Sequence, residues 1–319
     1  MIRGNIVVYL SGKLGNPSKF LLIFLAVVKE IFIEYIKFEK RYSAHTVTAY
    51  QNDLTQFFNF IETEYDIRDL AVVDHQIIRS WLVHLIGQGV SERSVNRKIT
   101  TLKSFYRFLV KTGNVEVNPM NRLSSLKTSK RLPVFLEEER MDRLFDLVEF
   151  GDDYPGTRNK LILEMLYSTG MRLSELVNLH DYDVDLHHAS LKVLGKRNKE
   201  RIIPFGSTLG ESIKRYQGLK RELFPAQAWL FLTDSGAQIY PKMVYRIVHD
   251  ALAQVSTLTR RSPHILRHTF ATHLLNHGAE LNAVKELLGH SSLAATQIYT
   301  HNEIEKLKRI YQQAHPKAN

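Results

Sequence analysis

A short segment in the second half of the chain combines side chains that suit a phosphate. It reads Ser262-Pro263-His264-Ile265-Leu266-Arg267-His268. Ser262 is a typical helix N-cap and Pro263 a typical first helical residue, so we expect a helix from Pro263 to a stop at Gly278. His264 falls in its first turn, with Arg267 one turn further along the same face. Helix starts carry partial positive charge and free N–H groups, so this segment predicts a phosphate site.

The histidines of this helix also raise the alternative of a metal site. His264 and His268 have the spacing of a metalloprotease helix, and His273 and His277 follow. Such a site needs a glutamate directly after the first histidine, where this chain has Ile265. No carboxylate follows within the predicted helix. We therefore expect no metal, and we expect His268, His273 and His277 to be packing or surface residues.

Two residues further along would complete a chemistry on phosphorus. In Leu288-Gly289-His290, we expect Gly289 to end a helix and to expose His290 in a short turn. Tyr299 follows on the next helical segment. The pKa of a tyrosine hydroxyl is ordinarily about 10, so it attacks phosphorus only with cations and a proton acceptor nearby. On these residues alone, a half-buried core aromatic is the favoured interpretation of Tyr299.

A predicted helix over Glu92–Lys111 carries apolar residues on one face and basic residues on the other. Its apolar stripe consists of Val95, Ile99, Leu102, Tyr106 and Leu109. The basic face carries Arg93, Arg97, Arg107 and Lys111. We expect this face to lack partners inside the protein, because Glu92 is the only acidic residue of the helix. A row of cations on a helix suits DNA, whose phosphates supply affinity and whose major groove admits a helix. A merely solvated face is the alternative.

Length and composition bound the class of protein. The 319 residues suffice for two domains, and 44% hydrophobic with 24% charged residues is typical of a soluble globular chain. A formal net charge of +10 favours an anionic partner such as nucleic acid or an acidic membrane surface. The absence of cysteine excludes disulfides, thiolate metal sites and cysteine nucleophiles. The apolar run at 20–28 falls short of the roughly 18 residues that a membrane span needs.

Periodicity divides the chain into a helical first half and a mixed second half. In the first half, helices are predicted over 28–40, 45–62, 74–87 and Glu92–Lys111. In the second half, strands are predicted at 189–194 and 201–204, on either side of a polar hairpin at Gly195-Lys196. The predicted domains are an N-terminal extension at 1–27, a helical domain at 28–113, a linker at 114–133 and a second domain at 134–319.

Together these motifs resemble those of the tyrosine recombinase (phage integrase) family, most closely its Xer-type members. The resembling pieces are Thr169-Gly170-Met171-Arg172-Leu173-Ser174-Glu175-Leu176, Gly195-Lys196, His264-Ile265-Leu266-Arg267-His268, Leu288-Gly289-His290 and Ile298-Tyr299-Thr300-His301. They occur in family order, and the likeness covers roughly residues 28–319. The resemblance implies a mainly α fold with a small β-sheet. It implies a four-helix, SAM-like core-binding domain and a mixed α/β catalytic domain that form a clamp around DNA, with a terminal helix exchanged between subunits.

The resemblance also assigns roles to residues. It implies that Tyr299 is the nucleophile, that Arg172 and Arg267 bind the phosphate, and that Lys196 is the general acid. His264 and His290 would complete the site, with no metal, ATP or other cofactor. The implied activity is site-specific recombination of DNA through a 3′-phosphotyrosyl intermediate and a Holliday junction, resolving chromosome or plasmid dimers.

Two other functions stay open on the same motifs. A mobile-element integrase would share all of them, whereas a catalytically silent DNA-binding protein would not need the complete catalytic set. The expected partners are a duplex recombination site, a tetramer of like or unlike recombinase subunits on two duplexes, and a DNA translocase at the division septum. We expect a cytoplasmic, nucleoid-associated protein with no membrane partner.

Overall fold

The computed structural model describes residues 17–128, 134–195, 199–289 and 301–318. Side chains are described from residue 25 in the first helix and from residue 305 in the last. The chain divides into two compact units, Met1–Arg131 and Leu132–Asn319, and each has its own hydrophobic core. The prediction of a mainly helical chain with one small sheet is confirmed.

The described part of the first unit is built on four α-helices. They are α1 (Pro17–Glu34), α2 (Ala44–Tyr65), α3 (His75–Gly87) and α4 (Glu92–Lys111), and α1 continues as a π-helical turn over Tyr35–Glu39. A side-chain oxygen caps the start of three of them: Ser43 accepts from the N–H of Thr46, and Asp74 and Ser91 act likewise. The observed starts of α2, α3 and α4 therefore follow from cap residues visible in the sequence.

The first helix differs most from its predicted bounds. It begins at Pro17 rather than near residue 28, so the apolar run at 20–28 is helical. Leu25 and Val28 lie buried in the core of the first unit. No helix in the described parts of the chain is long and apolar enough to cross a membrane.

The stretch predicted as a linker is partly bound to the first unit. Val115 and Met120 are buried in its core, the latter in a 3-10 turn over Pro119–Arg122. The Asn96 side chain holds the backbone of Leu126 from both sides, with its Nδ2 2.9 Å from the carbonyl and its Oδ1 2.7 Å from the N–H. Residues 129–133 lie outside the described residues.

The second unit surrounds a small antiparallel sheet with helices. The helices are α5 (Glu138–Leu147), α6 (Tyr154–Thr169), α7 (Leu173–Val177), α8 (Ser207–Leu223), α9 (Pro241–Val255), α10 (Pro263–Asn276), α11 (Leu281–Leu288) and α12 (His301–Ala314). The strands are β1 (Val184–Asp185), β2 (Ser190–Leu194) and β3 (Glu200–Pro204), in that spatial order. Strands β2 and β3 lie where the sequence predicts them, whereas β1 and α8 were not predicted.

The register of the sheet decides which side chains of β3 face the core. Leu191 pairs with Ile203 and Val193 pairs with Arg201, and all four side chains are buried. Because side chains alternate along a strand, Arg201 shares the inner face with Ile203. The strand therefore directs a charged side chain inward.

The terminal helix α12 packs on its own unit. Its Leu307 and Tyr311 are buried in a cluster that includes Phe270 of α10 and Leu287 of α11. This arrangement buries Leu307 and Tyr311 within one chain, and exchange of the helix between subunits stays a prediction.

Candidate active site

The helix α10 begins where the sequence predicts and carries Arg267 into a partly buried position. Ser262 precedes it in an extended conformation, although its side chain makes no capping hydrogen bond, and Pro263 is the first helical residue. Arg267 donates from Nη1 to the carbonyl of Gly170 (2.5 Å) and from Nη2 to the carbonyl of Leu288 (2.6 Å). One guanidinium thus links the end of α6 to the end of α11.

A left-handed glycine sets the turn that leads to the second arginine. Gly170 ends α6 with φ 59°, and a Cβ there would lie 2.3 Å from the ring of Phe270. Glycine is required on both counts, conformation and space. The chain then reaches Arg172 directly before α7, which places the arginine beside the carbonyl that Arg267 contacts.

Arg172 is held by a buried carboxylate and by a backbone carbonyl. Its Nη1 donates to Oε1 of Glu175 (2.8 Å), and its Nη2 donates to the carbonyl of Gly289 (3.2 Å). Oε2 of Glu175 accepts the backbone N–H of Arg172 at 2.7 Å, so the same carboxylate closes the start of α7. The Arg172 side chain keeps 30% of its surface exposed, which leaves it accessible to a ligand.

Arg201 approaches the same carboxylate from the sheet. Its Nη1 and Nη2 donate to the two oxygens of Glu175 at 2.8 Å and 2.9 Å, and its Nε donates to the carbonyl of Leu287 (2.9 Å). No role was predicted from the sequence for Arg201 or Glu175. Two features of the sequence could have identified them. Arg201 lies at an inward position of a predicted strand, and Glu175 lies at the third position of a helix.

The three arginines therefore meet at three successive carbonyls. Leu287, Leu288 and Gly289 accept from Arg201, Arg267 and Arg172, respectively. These carbonyls close α11, where a helix leaves unpaired acceptors and partial negative charge. Gly289 adopts φ 65° and ends the helix, as predicted. The helix end thus gathers guanidinium groups from three distant parts of the sequence.

The electrostatic balance of this cluster favours an anionic ligand. Burial and the neighbouring Arg172 and Arg201 lower the pKa of Arg267 to about 10, which still leaves it charged at neutral pH. Burial would raise the pKa of Glu175, but hydrogen bonds and charge from Arg201, with further hydrogen bonds from Arg172, lower it overall. Three cations face one carboxylate, so the cluster carries an excess of two positive charges.

Of the four remaining predicted catalytic residues, one lies within the residues that the structure describes and three lie outside them. His264 lies exposed in the first turn of α10, one helical turn before Arg267. Lys196, His290 and Tyr299 lie outside the described residues. Gly195 precedes Lys196 at the base of the β2–β3 hairpin, where its N–H donates to the carbonyl of Lys199 (2.7 Å).

Two further histidines, His273 in α10 and His277 directly after it, serve packing and surface contacts. His273 is buried between the Tyr167 hydroxyl and the Leu136 carbonyl, each 2.8 Å from one ring nitrogen. His277 lies at the surface, 3.0 Å from a carboxylate oxygen of Glu138. In the described segments, no three His, Asp or Glu side chains are grouped so as to hold a metal ion. The predicted packing and surface positions of His273 and His277 are confirmed.

The basic face of α4 departs from the prediction that it lacks internal partners. Arg97 and its neighbour Lys98 both pair with the fully buried Asp53 of α2. Thr101 adds a hydrogen bond to the same carboxylate at 2.9 Å. The prediction was wrong because the helix pairs its cations with a carboxylate on another helix, which spacing within α4 cannot reveal. Arg93, Arg107 and Lys111 remain exposed.

Comparisons with known families match both units of the chain. The profile of the Phage integrase family matches residues 134–306. The profile described as Phage integrase, N-terminal SAM-like domain, matches residues 30–113.

Curated relatives match over most of their length. Tyrosine recombinase XerC of Staphylococcus carnosus is 42% identical, over 91% of this chain and 98% of the relative. Tyrosine recombinase XerC of Chlorobaculum tepidum is 38% identical, over 90% of this chain and 94% of the relative.

Solved structures share the fold at low sequence identity. A post-cleavage complex of the XerH site-specific recombinase with its palindromic difH substrate has a TM-score of 0.72 at 21% identity, over 94% of this chain and 97% of that one. A lambda integrase dimer bound to a core site has a TM-score of 0.65 at 17% identity, over 86% and 99%.

Proposed function

The chain belongs to the phage integrase family of tyrosine recombinases, and we propose that it acts as a site-specific DNA recombinase of the Xer type. One observation carries the chemical part of this proposal. Arg172 and Arg267 come from distant segments, yet they bind adjacent carbonyls at Gly289 and Leu288, directly before His290. This convergence creates a doubly cationic site of the kind that a phosphodiester requires.

Both arginines keep donors for a phosphate after making these contacts. A guanidinium has five N–H groups, and each arginine uses two of them in the hydrogen bonds of the described residues. Three donors on each side chain are therefore unused by the described residues. Because the protein already fixes both groups, little reorganisation is needed when negative charge develops on phosphorus.

In the proposed reaction, the Tyr299 oxygen attacks the scissile phosphorus and the bond from phosphorus to the 5′ oxygen breaks. Lys196 supplies the proton that the leaving 5′ oxygen needs, and a histidine, His264 or His290, accepts the tyrosine proton. The 3′-phosphotyrosyl ester keeps the energy of the broken bond. A 5′ hydroxyl from the partner strand then attacks this ester and releases Tyr299, so strand joining needs no ATP.

Exchange of one pair of strands would give a Holliday junction, and exchange of the second pair would resolve it. This sequence requires four subunits on two duplexes. We propose that the two units of each subunit hold the duplex as a clamp, with the exposed Arg93, Arg97, Arg107 and Lys111 directed at DNA. Transfer of α12 to a neighbouring subunit would place the apolar face of this amphipathic helix at the interface of the tetramer.

The Xer-type role is favoured over a mobile-element integrase by the relatives. The XerC proteins reach 38–42% identity over nearly their whole length, whereas the lambda integrase likeness at 17% identity supports the fold alone. We therefore propose resolution of chromosome or plasmid dimers, in the cytoplasm at the nucleoid, with a septal DNA translocase as an additional partner.

The test of the proposed function is capture of the covalent intermediate. The purified chain is incubated with a duplex carrying a candidate core site that is nicked close to the cleavage position. Cleavage then frees the short piece between the cut and the nick. Because that piece carries the 5′ hydroxyl, its loss blocks rejoining. A labelled adduct that persists on a denaturing gel is the expected result. A plasmid with two core sites in direct repeat then tests recombination. A recombinase converts it into two circles, whereas a protein that only binds DNA leaves the plasmid intact.

A further inference from the structure

Arg201 lies in the candidate active site but has no part in the roles proposed so far. It occupies an inward position of β3, paired with Val193 of β2, and only 5% of it is exposed. An arginine at such a position is costly unless its charge and its donors are matched inside the protein. Its contacts therefore reveal what the site gains from it.

All three nitrogens of Arg201 are engaged by the protein. The two terminal nitrogens form a bidentate pair with Glu175 at 2.8 Å and 2.9 Å, and Nε donates to the carbonyl of Leu287 (2.9 Å). A buried guanidinium engaged in this way is poorly placed to contact DNA. Any effect of Arg201 on the reaction must then pass through the groups it holds.

Those groups are the ones that orient the two phosphate-binding arginines. Oε1 of Glu175 accepts from both Arg201 and Arg172, each at 2.8 Å, so fixing the carboxylate also fixes Arg172. The carbonyl of Leu287 precedes the one that binds Arg267. The backbone of Gly289 rests against Arg201 as well, since a Cβ on Gly289 would lie 3.1 Å from its Cδ.

We propose that Arg201 is a positioning residue for strand cleavage. It locks Glu175 and the end of α11 so that Arg172 and Arg267 present their unused N–H groups to one phosphate. This inference rests on the proposed function and deepens it. The planar fork of arginine is essential to the role, because lysine offers a point charge and cannot span Glu175 and the Leu287 carbonyl together.

The first test compares Arg201→Lys with Arg215→Lys. Arg215 is a matched control, since it pairs with Asp152 at 2.8 Å but lies at the surface of the same unit. We expect Arg201→Lys to slow adduct formation at saturating DNA by about 100-fold, because small misplacements of a reacting group have effects of this size. DNA affinity should change by less than about threefold, since most phosphate contacts are untouched. Arg215→Lys should match the wild type in both.

A second set of variants separates positioning from stability. Arg201→Met leaves the buried Glu175 short of a partner and should lower the unfolding temperature. Adding Glu175→Leu removes both charges of the pair and should recover most of that loss, as replacing a whole buried ion pair often does; the remainder reflects the Arg172 donors that Glu175 also accepts. We expect cleavage to remain slow in this stable double variant.

A mutant cycle identifies the route of the effect. Because part of the effect of Arg201 passes through Glu175 to Arg172, combining Arg201→Lys with Arg172→Gln should slow cleavage by less than the product of the two single effects. Fully multiplicative rates, normal cleavage by Arg201→Lys, or recovered cleavage in the Met and Leu double variant would each overturn the inference. Failure of the wild type to form any adduct would overturn the proposed function together with it.

Discussion

Each unit of the molecule buries one carboxylate between two basic side chains, and the two arrangements differ in where those side chains originate. In the first unit, Asp53 binds Arg97 and Lys98, which are neighbours on α4. In the second unit, Glu175 binds Arg172 and Arg201, which come from the start of α7 and from β3. The first carboxylate joins two helices, whereas the second joins a helix to a strand.

The different origins of these basic side chains show how each unit uses its charges. Neighbouring residues of one helix diverge, so Lys98 is buried with 6% of its side chain exposed while Arg97 keeps 44%. One cation thus serves packing and the other faces solvent. At Glu175 the cations converge, and a third arginine joins them at the end of α11. Binding a long polyanion needs dispersed charges, whereas chemistry on one phosphate needs charges gathered at a point.

The largest expected effect separates chemistry from binding. Tyr299→Phe removes only the oxygen proposed as the nucleophile, so we expect no covalent adduct on the nicked site and an unchanged DNA affinity in a gel-shift titration. Tyr182→Phe is the control, since that tyrosine is 76% exposed and lies outside the arginine cluster. An undiminished adduct would assign the nucleophile to another residue.

The next largest effect concerns the stability of the first unit. Asp53→Asn leaves the buried Lys98 ammonium without a charged partner, and we expect the unit to lose about 3 to 5 kcal/mol of unfolding free energy. Trp81 reports this unit alone in a Trp229→Phe background, because the chain has two tryptophans and the other lies in the second unit. When the Asp53→Asn variant is kept folded and saturated with DNA, its cleavage rate should stay at the wild-type level. A cleavage defect as large as that expected of Arg201→Lys would erase the contrast between the two carboxylates.

Dispersed charge in the first unit should affect binding and its salt dependence. We expect the combined change of Arg93, Arg97 and Arg107 to glutamine to weaken DNA binding. The slope of log affinity against log salt should fall by about 0.9 for each phosphate that the variant no longer neutralises. Titrations at several salt concentrations measure it, with Arg215→Gln as the control. An unchanged slope would show that this face lies in solvent.

A moderate effect of pH is expected on the second unit. Burial, opposed in part by a hydrogen bond to the Tyr167 carbonyl, lowers the pKa of His315 to about 3. The unfolded chain binds that proton near pH 6.5, so unfolding takes up a proton between these values and stability falls as the pH falls. The expected loss is about 1.4 kcal/mol per pH unit below pH 6.5, measured by calorimetry. His315→Gln should reduce this slope, whereas His45→Gln, at an exposed position of the first unit, should not.

The smallest expected effect is that of a chelator. In the proposed reaction, Arg172, Arg267 and Lys196 bring the positive charge that a metal would otherwise supply, so adduct formation should proceed at the same rate in excess EDTA. Loss of the adduct in chelator, with recovery on adding zinc or magnesium, would contradict this assignment of the charges.

Local signals predicted the fold best where caps and periodicity agreed. The bounds of α4 were predicted to the residue, since its two-sided pattern lies between Ser91 and Gly113. The helix α8 was missed although Leu209, Ile213, Tyr216 and Lys220 form a buried stripe at helical spacing. It follows Gly206, whose residue type offers no side chain to cap a helix.

The candidate site could be predicted only in part. The motifs placed Arg172 and Arg267 in one site, and the structure brings them to adjacent carbonyls. The pairing of Arg201 with Glu175 depends on the register of β3 and on how α7 packs, and neither is encoded at fixed spacing. The contact of Asp53 with α4 was not predicted either, because it depends on how α2 packs against α4.

The three backbone carbonyls that bind the arginines also determine which substitutions the end of α11 can tolerate. Leu287, Leu288 and Gly289 contribute only their carbonyls to the three arginines, and every residue type carries the same carbonyl. Substitution at the first two positions changes the core but not the chemistry of the acceptors. Gly289 is the exception, since its positive φ would strain any side chain and a Cβ there would lie 3.1 Å from the Arg201 side chain, which would then have to move. A lineage could therefore exchange the leucines for other apolar residues while this glycine stays fixed.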